Sequence, residues 1–141
     1  MKIPAYRTAM IRALGAFHAW LYRAMGGGGP FNKNTLVLTT RGRKTGREVS
    51  TPLLYVSDRD RLYVVASFGG SDVPPTWYQN LTANPAVTVE VGSSRRRYRA
   101  RTLTTEEAAP IWPRLLEIWP AYATYQTRTT RVIPVVELSP V

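Results

Sequence analysis

Apolar positions fall along this chain in two rhythms. Near the N-terminus Met10, Leu14, Phe17 and Leu21 recur at steps of three and four, the spacing of one helix face. Arg7, Arg12 and Arg23 fall largely elsewhere, so residues 5–25 are expected to form an amphipathic helix. Four glycines and Pro30 follow, which end a helix and make a flexible joint over 26–30. Beyond the joint the period drops to two. Leu36-Val37-Leu38 is a short apolar run, and Val49, Thr51, Leu53 and Tyr55 alternate with other residues; each reads as a strand. Further strands are expected over 61–67, 86–91, 95–103 and 132–138, with Ser57 to Asp60 as a turn before the third. Pro134 is expected to hold the last strand at a sheet edge or in a bulge.

Helical stretches interrupt this series. Trp77 to Leu81 follows Pro74-Pro75 as a short helix. Thr104 with Glu107 three residues on has the form of a capping box. The helix it opens should run to about Ile118, kinked or divided by Pro110 and Pro113. Pro120 starts another, carrying Tyr122 and Tyr125. No strand–helix–strand alternation is present, so the sheet should be mostly antiparallel, and six strands with short turns are best satisfied by closing into a barrel. The expectation is one α+β domain over 1–141, mainly β: a helix over 1–25, the joint, and a barrel over 31–141.

Composition narrows the chemistry. The 141 residues include no cysteine and one histidine, His18. Disulfides, thiolate metal sites and a thiol nucleophile are excluded, and no metal site is expected. His18 lies among apolar residues and reads as a packing residue. The formal net charge of +10 draws anionic partners: nucleic acid, an anionic membrane surface or an acidic small molecule. The arginines of the first helix break any apolar run of about 20 residues, so no bilayer span is expected. A cytoplasmic protein fits. Residues 5–25 read first as a helix covering one side of the core, and they also suit the surface of a membrane, with Trp20 and Tyr22 near the headgroups.

The charge is concentrated. Thr39-Thr40-Arg41-Gly42-Arg43-Lys44-Thr45-Gly46 joins the first two strands as a hairpin turn bearing three cations. Its glycines can adopt positive φ and turn backbone N–H groups inward, forming an anion-binding concavity. A solvated basic turn fits the same spacing. The nucleotide P-loop is excluded, because Arg47-Glu48 follows the second glycine. Arg95, Arg97, Arg99 and Arg101 share one strand face, which is either wet or meets an anion. Gly69-Gly70 allows a close backbone approach, the N-terminus of the Trp77 helix offers free donors, and Tyr122 with Tyr125 is either packing or an aromatic wall.

Taken in order, Thr39 to Gly46, Pro52-Leu53, Ala66-Ser67-Phe68-Gly69-Gly70, Trp77 to Pro85, and Tyr122 to Gln126 ahead of Arg131-Val132-Ile133-Pro134 resemble the deazaflavin-dependent nitroreductase family, which uses coenzyme F420. The likeness runs from about residue 31 to the C-terminus. It implies a split β-barrel of the FMN-binding type and a cofactor whose phosphodiester and oligoglutamate arm is a polyanion. By that resemblance Arg43, Lys44, Thr45 and Gly46 hold the phosphate, with Arg47 and Glu48 at the rim. Val37, Leu38 and Thr39 line the approach, and Val65, Ala66, Ser67 and Phe68 run along the deazaflavin ring. Thr76, Trp77, Tyr78, Gln79 and Asn80 supply a second anion-binding terminus. Tyr122, Tyr125 and Ser67 are the donors to the acceptor, with Tyr122 also against the cofactor. The chain departs from the nitroreductase pattern at Leu54, Phe68 and Thr76, so a quinone or another apolar electrophile is a safer acceptor than a nitro compound. The resemblance also implies peripheral membrane contact through residues 5–25 at the inner face, homodimer formation, and no nucleic-acid partner. FMN binding, or a non-enzymatic basic module for anionic lipid or nucleic acid, are the competing readings.

Overall fold

A computed structural model describes residues 34–141; the helix and joint expected before residue 31 lie outside the described residues. Within them are seven strands: β1 (Thr35–Arg41), β2 (Glu48–Leu54), β3 (Val56–Asp58), β4 (Arg61–Val65), β5 (Ala86–Val91), β6 (Ser94–Thr102) and β7 (Val135–Pro140). Four helices accompany them: α1 (Thr76–Ala83), α2 (Thr105–Ala108), α3 (Trp112–Ile118) and α4 (Ala121–Thr127). The sheet is antiparallel throughout, in the order β2-β1-β5-β6-β7-β4-β3.

The two ends of that order, β2 and β3, are separated in the chain by Tyr55 alone. One strand therefore bends at Tyr55, pairing with β1 on one side and with β4 on the other. Counted so, the curled sheet has the six strands expected, and the expected turn from Ser57 narrows to the reversal after Asp58, where Arg59 takes φ +59°. The bend joins the two edges covalently, as a split barrel requires.

Pro134 does not place the last strand at an edge. β7 lies between β6 and β4, and it starts one residue after the proline. The missing N–H thus falls outside the ladder, while the Pro134 carbonyl accepts from the Ala66 N–H at 3.0 Å. Pro52 lies within β2, at the end of the order, and Pro140 is the last residue of β7.

Alternation along the strands builds two cores. Leu36, Leu38, Leu62, Val64, Val87, Val89, Ala100, Val136 and Leu138 point inward with Trp77 and Leu81 of α1. Val56, Tyr63, Val65 and Val135 face outward, under Ala108, Ile111, Leu115 and Tyr122 of the helical segment, with Ile133. β4 and β7 are covered on both faces, which accounts for their nearly unbroken apolar runs. The expected long helix is divided into α2 and α3, and Pro113 sits in the first turn of α3 where its missing N–H costs nothing.

The four β6 arginines share the outer face. Its ends are neutralised: Arg95 pairs with Glu90 at 3.1 Å, and Arg101 with Glu107 at 2.9 Å and Glu137 at 3.4 Å. Glu137 is buried and also accepts from Arg61 and the Tyr63 hydroxyl, each at 3.3 Å. Thr104 and Glu107 form the capping box reciprocally. Hydrogen bonds from Arg101, then from the Thr104 N–H, hold the Glu107 carboxyl down from 4.5 to about 2. A depressed folded pKa gives stability that is present above the unfolded value and lost as pH falls through the folded one. Glu107→Gln should therefore lower the melting temperature at neutral pH and flatten its decline between about pH 4.5 and about pH 2, read by thermal denaturation across that window.

Candidate functional site

Strand directions bring the chemistry-bearing segments to one end of the barrel. β1 rises to the cationic loop and β2 with β3 descends from it. β4 rises again and ends at Val65, α1 precedes the descending β5, and the segment from Arg131 to Pro134 precedes the descending β7. The opposite end holds the short reversals β3–β4 and β5–β6.

Within the cationic loop the backbone closes on itself. The Gly42 N–H donates to the Arg47 carbonyl at 2.7 Å and the Gly46 N–H to the Gly42 carbonyl at 2.8 Å. Gly46 takes φ +72°, and a Cβ on Gly42 would stand 2.8 Å from Thr45 Oγ1, so neither position suits a larger residue. Arg41 donates to the Gly46 carbonyl at 3.1 Å. The side chains of Arg41, Arg43, Lys44 and Arg47 are exposed.

The loop is held from below by α1. Asn80 is 1% exposed. Its Oδ1 accepts from the Arg43 N–H at 3.1 Å and its Nδ2 donates to Thr40 Oγ1 at 3.2 Å. Gln79 Oε1 accepts from the Arg43 guanidinium at 2.6 Å, and its Nε2 donates to the Pro74 carbonyl at 3.0 Å. Gln79 and Asn80 therefore brace the loop. Trp77 belongs to the barrel core, and the Tyr78 hydroxyl is 2.9 Å from Thr102 Oγ1. Val37 and Leu38 are fully buried, Leu38 in the same core, and Thr39 Oγ1 lies 2.8 Å from Ser50 Oγ.

A second backbone feature follows β4. Ser67 is right-handed, and then Phe68, Gly69 and Gly70 take φ +46°, +64° and +81°. A left-handed phenylalanine costs on the order of 1–3 kcal/mol and persists where the surroundings over-determine it. Those surroundings come from α4 and the segment after it. A Cβ on Gly70 would lie 2.5 Å from the Tyr125 carbonyl, and Arg128 donates to the Gly69 carbonyl at 3.3 Å. Arg131 donates to the carbonyls of Ala66, Ser67 and Ser71 at 3.2, 2.8 and 2.7 Å. The Ala66 N–H and carbonyl are both used inside the protein. Arg128 and Arg131 are the residues whose roles here sequence reasoning missed, because their partners lie 59 to 65 residues away in the chain.

Tyr122 and Tyr125 do meet, their ring centroids 6.2 Å apart at 72°. Tyr122 is buried against Trp112; burial, then the neighbouring Tyr125, pushes its phenol up to about 12. Tyr125 accepts from Trp119 Nε1 at 3.1 Å, which leaves its own proton to donate.

A family model for F420H(2)-dependent quinone reductases matches residues 15–140. The chain belongs to the F420H(2)-dependent quinone reductase family. It is 40% identical over 110 residues to the F420H(2)-dependent quinone reductase Rv1261c of Mycobacterium tuberculosis, covering 74% of this chain and 72% of that protein. The solved structure of an F420-H2 dependent reductase, FDR-A, aligns with a TM-score of 0.70 at 38% identity over 76% of this chain and 95% of that one. A second, described as a domain-swapped dimer, aligns with a TM-score of 0.71 at 33% identity over 87% and 96%. Family membership accords with the split-barrel resemblance and with hydride transfer from reduced F420 to a quinone.

Removing the brace should be measurable in the family's simplest property, stability. Asn80→Ala leaves the Arg43 N–H without its acceptor and Thr40 without its donor. It should cost about 1–3 kcal/mol, read by urea denaturation; an unchanged midpoint would mean the loop does not depend on α1.

Proposed function

We propose that the protein transfers hydride from reduced coenzyme F420 to a quinone. The observation that carries this reading is the placement of four exposed cations, Arg41, Arg43, Lys44 and Arg47, at the same barrel end as Ser67 and the segment that packs on Tyr125. The donor set fits the cofactor: guanidinium and ammonium groups on a pinned loop suit a phosphodiester and carboxylates. Arg43, Lys44, Thr45 and Gly46 hold the phosphate, with Arg47 and Glu48 at the rim. Val65 to Phe68 flank the ring, Ser67 and Phe68 giving the backbone groups not already used. Bound F420H2 supplies a hydride, so the protein itself needs no nucleophile and no metal.

The chain's own residues then orient, dry and donate. Tyr122 and Tyr125, with Ser67, are hydrogen-bond donors to the acceptor oxygen as it gains charge. The raised pKa keeps Tyr122 protonated across the physiological range. Residues 5–25, basic and amphipathic in sequence, are placed by this reading on an anionic membrane surface, where apolar quinones dissolve. Two copies pair; gel filtration with light scattering reads that, and flotation with anionic vesicles reads the membrane contact.

Titration of the protein with F420 and with FMN should give stoichiometric quenching by the first only. Arg43→Ala with Lys44→Ala should weaken F420 binding by about tenfold to a hundredfold, and Arg95→Ala with Arg97→Ala by far less. Equal losses would count against the cradle. Tyr122→Phe should lower kcat for a soluble quinone by about a hundredfold. The Tyr122 phenol should not ionise until pH approaches about 12, so Tyr122→Phe should leave the shape of the pH profile below that value unchanged.

A further inference from the structure

Ser67 is right-handed at φ −77°, ψ −39°, and Phe68 left-handed at φ +46°. This succession turns consecutive backbone N–H groups toward one point and makes an anion-binding nest. The N–H groups of Ser67, Phe68 and Gly69 make no hydrogen bond among the described residues. The two peptide groups that carry the first two of them have their carbonyls, those of Ala66 and Ser67, on the Arg131 guanidinium. A trans peptide points its C=O and N–H in opposite directions, so Arg131 stands behind the nest. A cation at the carbonyl end also strengthens the partial positive charge at the N–H end.

Arg131 is itself fixed. Gln126 Nε2 donates to the Arg131 carbonyl at 2.8 Å, and Gln126 Oε1 accepts from the Ile133 N–H at 3.1 Å. Its guanidinium makes no ion pair within 4.0 Å among the described residues. Burial lowers its pKa somewhat from the ordinary arginine value, with Asp72 opposing; it stays charged.

The geometry points to Arg131 as a positioning residue: from behind it aims the Ser67–Phe68–Gly69 amides at an oxygen that carries negative charge in the reaction. That oxygen is a carbonyl oxygen of the cofactor ring or of the quinone; both present the same acceptor. The inference rests on the reading of the protein as an F420-dependent reductase.

The experiment compares wild type, Arg131→Lys and Arg131→Ala. It measures melting temperature, F420 affinity, the absorption spectrum of bound F420 without acceptor, and kcat and KM for a soluble quinone. Ala should lose at least tenfold, Lys should not repair it because an ammonium cannot span three carbonyls, and added guanidinium chloride at low millimolar concentration should restore part of it. A loss in affinity with a shifted bound spectrum assigns the oxygen to the cofactor. A loss in kcat alone assigns it to the quinone. A folded Arg131→Ala protein with wild-type affinity, spectrum and kcat overturns the proposal.

Should Arg131→Ala fail to fold, Ser67→Pro decides. Its φ already suits proline, and the change deletes one nest N–H. It should lose tenfold more than Ser67→Ala; equal losses overturn the nest. Wild-type protein that takes up no F420 at all sinks the reductase reading instead, whatever the variants do.

Discussion

A neutral carboxamide holds the cationic loop together. Arg41, Arg43, Lys44 and Arg47 repel one another, and an exposed loop of like charges has every reason to spread into solvent. The loop keeps its shape because Asn80, buried in α1, grips the Arg43 N–H and the Thr40 hydroxyl, while Gln79 takes the Arg43 guanidinium. The braces are amides, so they organise the charges without neutralising them. The field the loop presents to an anion is left intact, and the barrel core beneath α1 sets where it points.

The second backbone feature follows the same logic with the charges reversed in place. After β4 the surface offered to the proposed reaction is main chain, and the cation lies behind it. Arg131 satisfies three carbonyls at once, which few side chains other than arginine can do. A protein with no cysteine and one histidine has little side-chain chemistry to offer. Hydride transfer asks for orientation and hydrogen-bond donors, and both can be supplied by backbone amides and phenols.

Much of the barrel is legible in the sequence. Alternation at Val49 to Tyr55 and the apolar run at Leu62 to Val65 are local signals, and local signals survive folding. Pro134 misleads because one residue of register decides whether its missing N–H falls inside a ladder, and no local pattern fixes that register. The capping box at Thr104 and Glu107 is legible because it is complete within four residues. The site divides the same way. The glycines and cations of the loop announce themselves by type and spacing. Asn80 sits in a short polar helix and looks like any surface amide, and its partners lie some forty residues away. Arg131 reads as one more positive charge on a basic chain. Only the meeting of β4 with β7 shows that its targets are carbonyls.

Among the described residues, the segments of the proposed site gather at one barrel end and the short reversals at the other. There the β5–β6 reversal passes through exposed Gly92, at φ +60°, and exposed Ser93. Short, solvent-facing reversals of this kind accept added sequence. A reporter peptide or a surface tether attached at that tip would leave the opposite mouth facing solvent, so that immobilised enzyme would stand with its working end outward.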